Sequence, residues 1–192
     1  TGVQTCALPI LINSHMGSAS FKLMFGVYRL VCANGLIAGS TYETHSIKHV
    51  GYTDDAVNDA LLNLIANVPV VATAIERLNA VQLTNEEKLQ MSNAAIEMIR
   101  GNDGKFSINA AELVQPVRWS ERSDNSLWTT FNAIQERAMK GGYRVTNETG
   151  QSRYARKVTS VDETVRINRN LWTLAEAMAA LKTGSAAPSA LN

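Results

Sequence analysis

The sequence predicts an α+β protein: an N-terminal antiparallel β-sheet region, followed by a helical region with a basic β-hairpin inserted between two C-terminal helices. Three observations support this class. Between residues 20 and 32, apolar side chains alternate with others at a period of two, as a half-buried strand requires. Past residue 52 they recur instead at helical spacing behind helix-start residues. Between residues 143 and 159 a loose alternation returns, now rich in Arg and Lys and flanked by two helical runs.

The first strand rests on Phe21, Leu23, Phe25 and Val27, which alternate with Lys22, Met24, Gly26 and Tyr28, and it continues through Arg29 to Cys32. Asn34 and Gly35 both tolerate positive φ and sit between two apolar runs, so they predict a tight hairpin with a return strand at 36–38. A further strand at 42–50 sets His45, Ile47 and His49 on one face. Thr53, with Asp54 and Asp55 behind it, opens a helix whose buried stripe is Val57, Leu61, Leu64, Ile65 and Val68. Pro69 ends or kinks that helix, and a second helical run covers 70–83.

Thr84-Asn85-Glu86-Glu87 is a capping box opening the next helix, which Gly101 closes. A short helix at 108–115 stops at Pro116. The helix at 125–140 ends in Gly141-Gly142, a pair suited to the left-handed backbone of a C-cap. The basic hairpin turns at 147–151, and a last helix at 162–181 buries Val165, Ile167, Leu171, Leu174 and Met178. Residues 183–192, rich in Ala and Ser, read as a flexible tail.

At 192 residues, with 45% hydrophobic and 18% charged residues, the chain has the composition of an ordinary soluble globular domain. No apolar run reaches the ~18 residues of a membrane span. Two cysteines, Cys6 and Cys32, are too few for a disulfide framework, so a cytoplasmic, reducing setting is expected. Residues 1–10, TGVQTCALPI, resemble the translation of a sequencing-library adapter. The expectation is a non-native decapeptide from a metagenomic reading frame, then one domain at 11–182 truncated at its N-terminus. Residues 13–18, NSHMGS, resemble an affinity-tag remnant.

The net charge of +1 conceals an asymmetry. From Arg137 to Arg169 eight basic residues stand against three acidic ones, which leaves the remainder of the chain at −4. Within that segment Lys140, Arg144, Arg153, Arg156 and Lys157 are interleaved with Tyr143 and Tyr154. Cations of this kind contact backbone phosphates, and the rings stack on unpaired bases. If the hairpin gathers them into one patch, it can grip a polyanion; scattered or neutralised cations leave only a basic surface.

The sequence LWTTFNAIQERAMKGG at 127–142 carries a second pattern. On a helix Trp128, Asn132 and Gln135 form one stripe beside the apolar stripe of Leu127, Phe131, Ile134 and Ala138. NLWT at 170–173 echoes it. Two helices that both carry LWT are expected to pack together, with Asn132, Gln135 and Asn168 hydrogen-bonding as buried amides near Trp128 and Trp172. Arg29, inside an apolar strand, is expected to pair with a carboxylate such as Glu136.

No cofactor or metal is expected. Cys32, His15, His45 and His49 lack the tight local ligand pairs of a zinc site, and a Cys–His nucleophile has no local signature here. No glycine-rich phosphate cradle follows a strand, and no catalytic residue is singled out.

One set of motifs runs through nearly the whole chain: Asn13-Ser14-His15 with Gly17, Tyr28 through Leu36 (YRLVCANGL), and His49 to Tyr52. It continues through Leu127 to Asn132, Gln135-Glu136, Gly141-Gly142, Arg156, Asn168, Leu171-Trp172 and Ala175-Glu176. Assembled in this order, they resemble the domain of unknown function family numbered 932, found in phages, plasmids and prophages. Met16 stands where the family more often has Asp, and Val117-Arg118-Trp119-Ser120-Glu121 partly replaces a run with paired Arg and Asp. The resemblance implies accessory biology on a mobile element and no established activity. The expected function is non-enzymatic binding of nucleic acid, single-stranded or structured DNA, through the basic hairpin. The alternative is a protein-binding anti-restriction, anti-defence or regulatory factor whose partner is a host defence or replication protein.

Overall fold

The computed structural model describes residues 5–12, 21–29, 34–37, 45–47, 55, 58, 59, 62, 65, 66, 68–100 and 106–184. Its class is α+β. Contacts divide the chain into two compact units, Thr1–Ala74 and Ile75–Asn192, with the division falling inside the first long helix.

In the first unit, β1 (Thr5–Ile12), β2 (Phe21–Arg29), β3 (Asn34–Ile37) and β4 (His45–Ile47) form an antiparallel sheet. β1 pairs along its whole length with β2, from Thr5 opposite Arg29 to Ile12 opposite Lys22. β3 pairs with residues 26–29 of β2 and β4 with residues 21–23. β1 lies at an edge of the described sheet, the position in which a proline such as Pro9 is best tolerated. The expected turn at Asn34-Gly35 is corrected. Both residues lie inside β3, opposite Arg29 and Tyr28. A residue paired within a strand has no need of the positive φ that a two-residue loop demands. Ile65, expected in a buried stripe, is 56% exposed. Val57, Leu61 and Leu64, and the expected ends at Cys32 and Gly101, lie outside the described residues.

Helices follow: α1 (Val68–Ala80), α2 (Asn85–Arg100), α3 (Ala110–Leu113), α4 (Leu127–Lys140) and α5 (Val161–Thr183). The capping box that opens α2 is reciprocal. The Glu87 amide donates to Thr84 Oγ1 at 3.2 Å, and the Thr84 amide donates to Glu87 Oε2 at 2.7 Å. α1 stops at Ala80, three residues before the expected end. Gln82 instead forms a bridge with Ser126, flanked by Leu83 N to Asn125 O and Leu127 N to Val81 O, which ties the α1–α2 connection to the start of α4. Ser126 caps α4, accepting from the Thr129 amide at 3.1 Å.

The core of the second unit lies where α5 packs against both α2 and α4. Every residue of α4 from 127 to 136 is buried, so the helix has almost no solvated face. Phe131 stacks on Trp128 (5.6 Å, 13°) and meets Trp172 of α5 edge-on (6.0 Å, 88°). Such pairs contribute about 0.5–1.5 kcal/mol each beyond the area they bury. Ala175 and Ala179, wholly buried on α5, let the helices approach closely. Ile167 and Leu171 are buried as expected, whereas Val165, Leu174 and Met178 are only half-buried. Gly184, in the left-handed conformation at φ 64°, caps α5.

The hairpin is β6 (Arg144–Asn147) and β7 (Ser152–Tyr154), with Gly150 at φ 80° in the turn. It is joined by a strand that the pattern did not reveal, β5 (Phe106–Ile108), giving a three-stranded antiparallel sheet. Ile108, expected in a helix, belongs to this strand; α3 begins only at Ala110, after Asn109 caps it. A three-residue strand is too short for alternation to declare itself.

Candidate functional site

Strand register decides the chemistry of the small sheet. Ser107 stands opposite Thr146 and Thr146 opposite Ser152, so three hydroxyls cross one face in a row. Arg144 stands opposite Tyr154 on that same face. The other face carries Phe106, Ile108, Val145 and Arg153, with the Arg153 guanidinium 5.0 Å from the centroid of the Phe106 ring. Arg153 and Tyr154, adjacent in sequence, therefore point to opposite sides.

This corrects the single five-cation patch. Lys140, in the last turn of α4, bonds Glu136 Oε1 at 2.8 Å. Arg153 is held over Phe106. Arg156 and Lys157 are exposed in the segment beyond β7. Tyr143 is 6% exposed and presents no ring for stacking, and burial pushes its phenol above the ordinary value of 10.0. Tyr154, 63% exposed, is the ring the hairpin offers to solvent. A further member of the basic segment, Arg166, is also engaged. It pairs with Glu163 and donates to the carbonyls of Met98 at 2.8 Å and Ile99 at 3.4 Å, near the C-terminal end of α2.

Arg144 and Tyr154 line a groove of about 590 Å³ between the hydroxyl face of the sheet and α3, together with Glu112 and Gln115. Much of its wall is internally satisfied. Thr146 and Ser152 hydroxyls lie 2.8 Å apart, and Asn109 Oδ1 accepts from the Ala111 amide. Glu112 Oε2 accepts from the backbone N–H of Arg144 at 3.2 Å, docking α3 on the start of β6. Sequence reading missed Glu112 and Gln115. Each is one polar residue in a short segment, and only the fold brings it to the hairpin.

Gly141 and Gly142 position the site. Gly141 (φ 72°) donates to Arg137 O, Gly142 (φ 80°) donates to Ala155 O, and Val158 N donates to Met139 O. The chain leaving β7 is thus pressed on the end of α4. A Cβ on Gly141 would stand 2.4 Å from Ala155 O and 2.7 Å from the Arg156 carbonyl carbon, so the approach requires glycine.

The amide and aromatic motif is an interior feature. Gln135 Nε2 donates to Asn168 Oδ1 at 2.6 Å across α4 and α5, and Asn168 Nδ2 donates to Thr164 O at 2.8 Å. Asn132 turns back on its own helix, donating to Trp128 O at 2.6 Å. Glu136 lies between Arg118 and Lys140, at 3.4 and 2.8 Å. Whether Arg29 reaches Glu136 lies outside the described residues, as do His15, Cys32 and His49. Burial raises the Glu176 pKa above 4.5, against the neighbouring Trp172 indole and the Arg77 guanidinium 3.8 Å away. The indole N–H makes no well-formed hydrogen bond, yet it lies near enough to favour the carboxylate. Among the described residues no group of three or more His, Cys, Asp or Glu could hold a metal, and no helix is long and apolar enough to cross a membrane.

These features define an α+β protein with a polar groove between a three-stranded sheet and a one-turn helix. The chain belongs to the family described as "Domain of unknown function (DUF932)", whose model matches residues 3–172. It is 31% identical over 169 residues to "UPF0380 protein YafZ" of Escherichia coli (strain K12), covering 88% of this chain and 61% of that protein. It is 30% identical to "UPF0380 protein YfjQ" of the same organism, with the same coverage. The chain therefore spans about three-fifths of the length of the curated relatives it matches. No solved structure matches it significantly.

Proposed function

We propose that this chain is a non-enzymatic accessory protein of a phage or plasmid that binds nucleic acid, single-stranded or structured DNA, at the groove face of its small sheet. In this reading residues 11–182 act as one cytoplasmic domain, with the β-rich N-terminal region ahead of the helical unit. Membership of an uncharacterised family is compatible with accessory work on a mobile element. The five expected cations do not form one patch, so the binding role rests on a narrower observation, the register that sets Arg144 beside the exposed ring of Tyr154 at a groove. A cation takes a phosphate, and the ring takes a base, a stacking contact worth about 1–3 kcal/mol. Arg156 and Lys157 would extend the phosphate track. With about three phosphate contacts, the logarithm of the binding constant should fall with log salt at a slope of about −2. Anisotropy titration of a labelled single strand at two salt concentrations tests this, and no binding at low salt overturns it.

A second reading, a protein-binding anti-defence or regulatory factor, is favoured by one observation. Trp119 is 82% exposed next to a half-exposed Val117, and exposed Trp is a frequent anchor of protein interfaces. A Trp119→Ala variant that loses a nuclease-insensitive host partner while still binding oligonucleotide would support it.

A further inference from the structure

We propose that the groove reads a single unpaired nucleotide whose base offers an exocyclic amino hydrogen, so that a cytosine strand is preferred to a thymine strand. This deepens the nucleic-acid reading and rests on it. Five groups in the groove wall have no hydrogen-bond or ion-pair partner among the described residues: the Arg144 guanidinium, the Tyr154 hydroxyl, the Gln115 amide, the Asn109 side-chain Nδ2 and the second carboxylate oxygen of Glu112. The hydroxyls around them and Asn109 Oδ1 are already engaged with one another or with backbone. The free groups are therefore the ones available to an occupant.

Their chemistry is selective. Arg144 and Glu112 carry opposite charges in one groove, yet only the Arg144 backbone touches the carboxylate. An occupant that satisfies both must bring an anion for the guanidinium and a hydrogen-bond donor for the carboxylate. A nucleotide does this, with its phosphate toward Arg144 and its base on the Tyr154 ring. At the base edge, a carboxylate accepts from the cytosine amino group, while Gln115 donates to the adjacent ring nitrogen. Thymine can offer the carboxylate only its ring N3–H, which is flanked on both sides by carbonyl oxygens that the negative charge of Glu112 repels. The groove, about 590 Å³, has the size of a small-ligand site, so a base must leave its stack to enter.

Binding of labelled oligodeoxycytidylate and oligodeoxythymidylate of equal length, compared at one low salt concentration, tests the proposal. The cytosine strand should bind about tenfold tighter, and the matching duplex much more weakly than either. Glu112→Gln keeps an acceptor for the Arg144 amide but removes the charge. It should bring the two strands within about twofold by strengthening thymidylate binding, an effect that mere loss of structure cannot produce. Equal affinity for both strands in the wild type, with normal salt dependence, would sink this inference and leave the nucleic-acid reading intact. So would duplex binding as tight as single-strand binding, or competition by free cytidine monophosphate at concentrations equal to the strand. Failure of every strand to bind would remove both readings.

Discussion

Gln135 of α4 donates its side-chain amide to Asn168 of α5 at 2.6 Å, inside a contact where both residues are almost wholly buried. Removing one member leaves the other's polar atoms buried and under-satisfied, which costs about 1–3 kcal/mol. Replacing both by apolar groups of similar shape costs less than the two single changes together. Urea unfolding of Gln135→Leu, Asn168→Leu and the double variant should therefore show strong non-additivity. Additive losses would mean that the amides contribute separately.

Gly141 and Gly142 both have positive φ but differ in what surrounds them. A Cβ at Gly142 meets nothing within 4 Å, so Gly142→Ala should cost about 1–2 kcal/mol from backbone strain alone. Gly141→Ala adds a collision with the backbone of Ala155 and Arg156, and should cost at least about 2 kcal/mol more. Thermal unfolding of the two variants checks the order.

Glu176 predicts a pH dependence. Burial raises its pKa above 4.5 in the folded state, so the folded protein holds this proton more tightly than the unfolded chain does. Its stabilising contribution is complete below about 4.5 and is lost as pH rises through the folded value. Glu176→Gln, which removes the charge and keeps the shape, should gain stability relative to the parent at neutral pH, with the gap closing towards pH 4. The 3.8 Å contact to Arg77, itself about a third exposed, offsets part of that gain. Denaturant midpoints across that range provide the test.

The two faces of the small sheet should separate in binding. Arg144→Gln is expected to lower affinity for a single strand and reduce the salt slope by about one phosphate contact. Arg153→Gln, on the opposite face, should leave both within about twofold. It should instead lose the contact with Phe106, at about 0.5–1 kcal/mol of stability. Equal binding losses would place the nucleic acid elsewhere.

Tyr143 should titrate late. Burial holds the Tyr143 phenol above 10.0, so spectrophotometric titration of a Tyr143→Phe variant should lack a high-pH component that the parent shows.

What the sequence determined by itself was local. Thr84 and Glu87 specify a helix start because both halves of the capping box lie within one turn. Gly141-Gly142 marked the end of α4, and the basic alternation marked a hairpin, because turn chemistry and period act over a few residues. Asn34-Gly35 misled for the same reason: a local preference is set aside when the pairing partner fixes another register. Tertiary structure alone decided that β5 completes the small sheet and that Tyr143 is buried while Tyr154 is not. It alone brought Glu112, 32 residues away in sequence, to Arg144, and Arg166, 68 residues away, to the Met98 carbonyl. Those outcomes depend on which faces are covered by segments distant in the chain, and a pattern of neighbours carries no record of that.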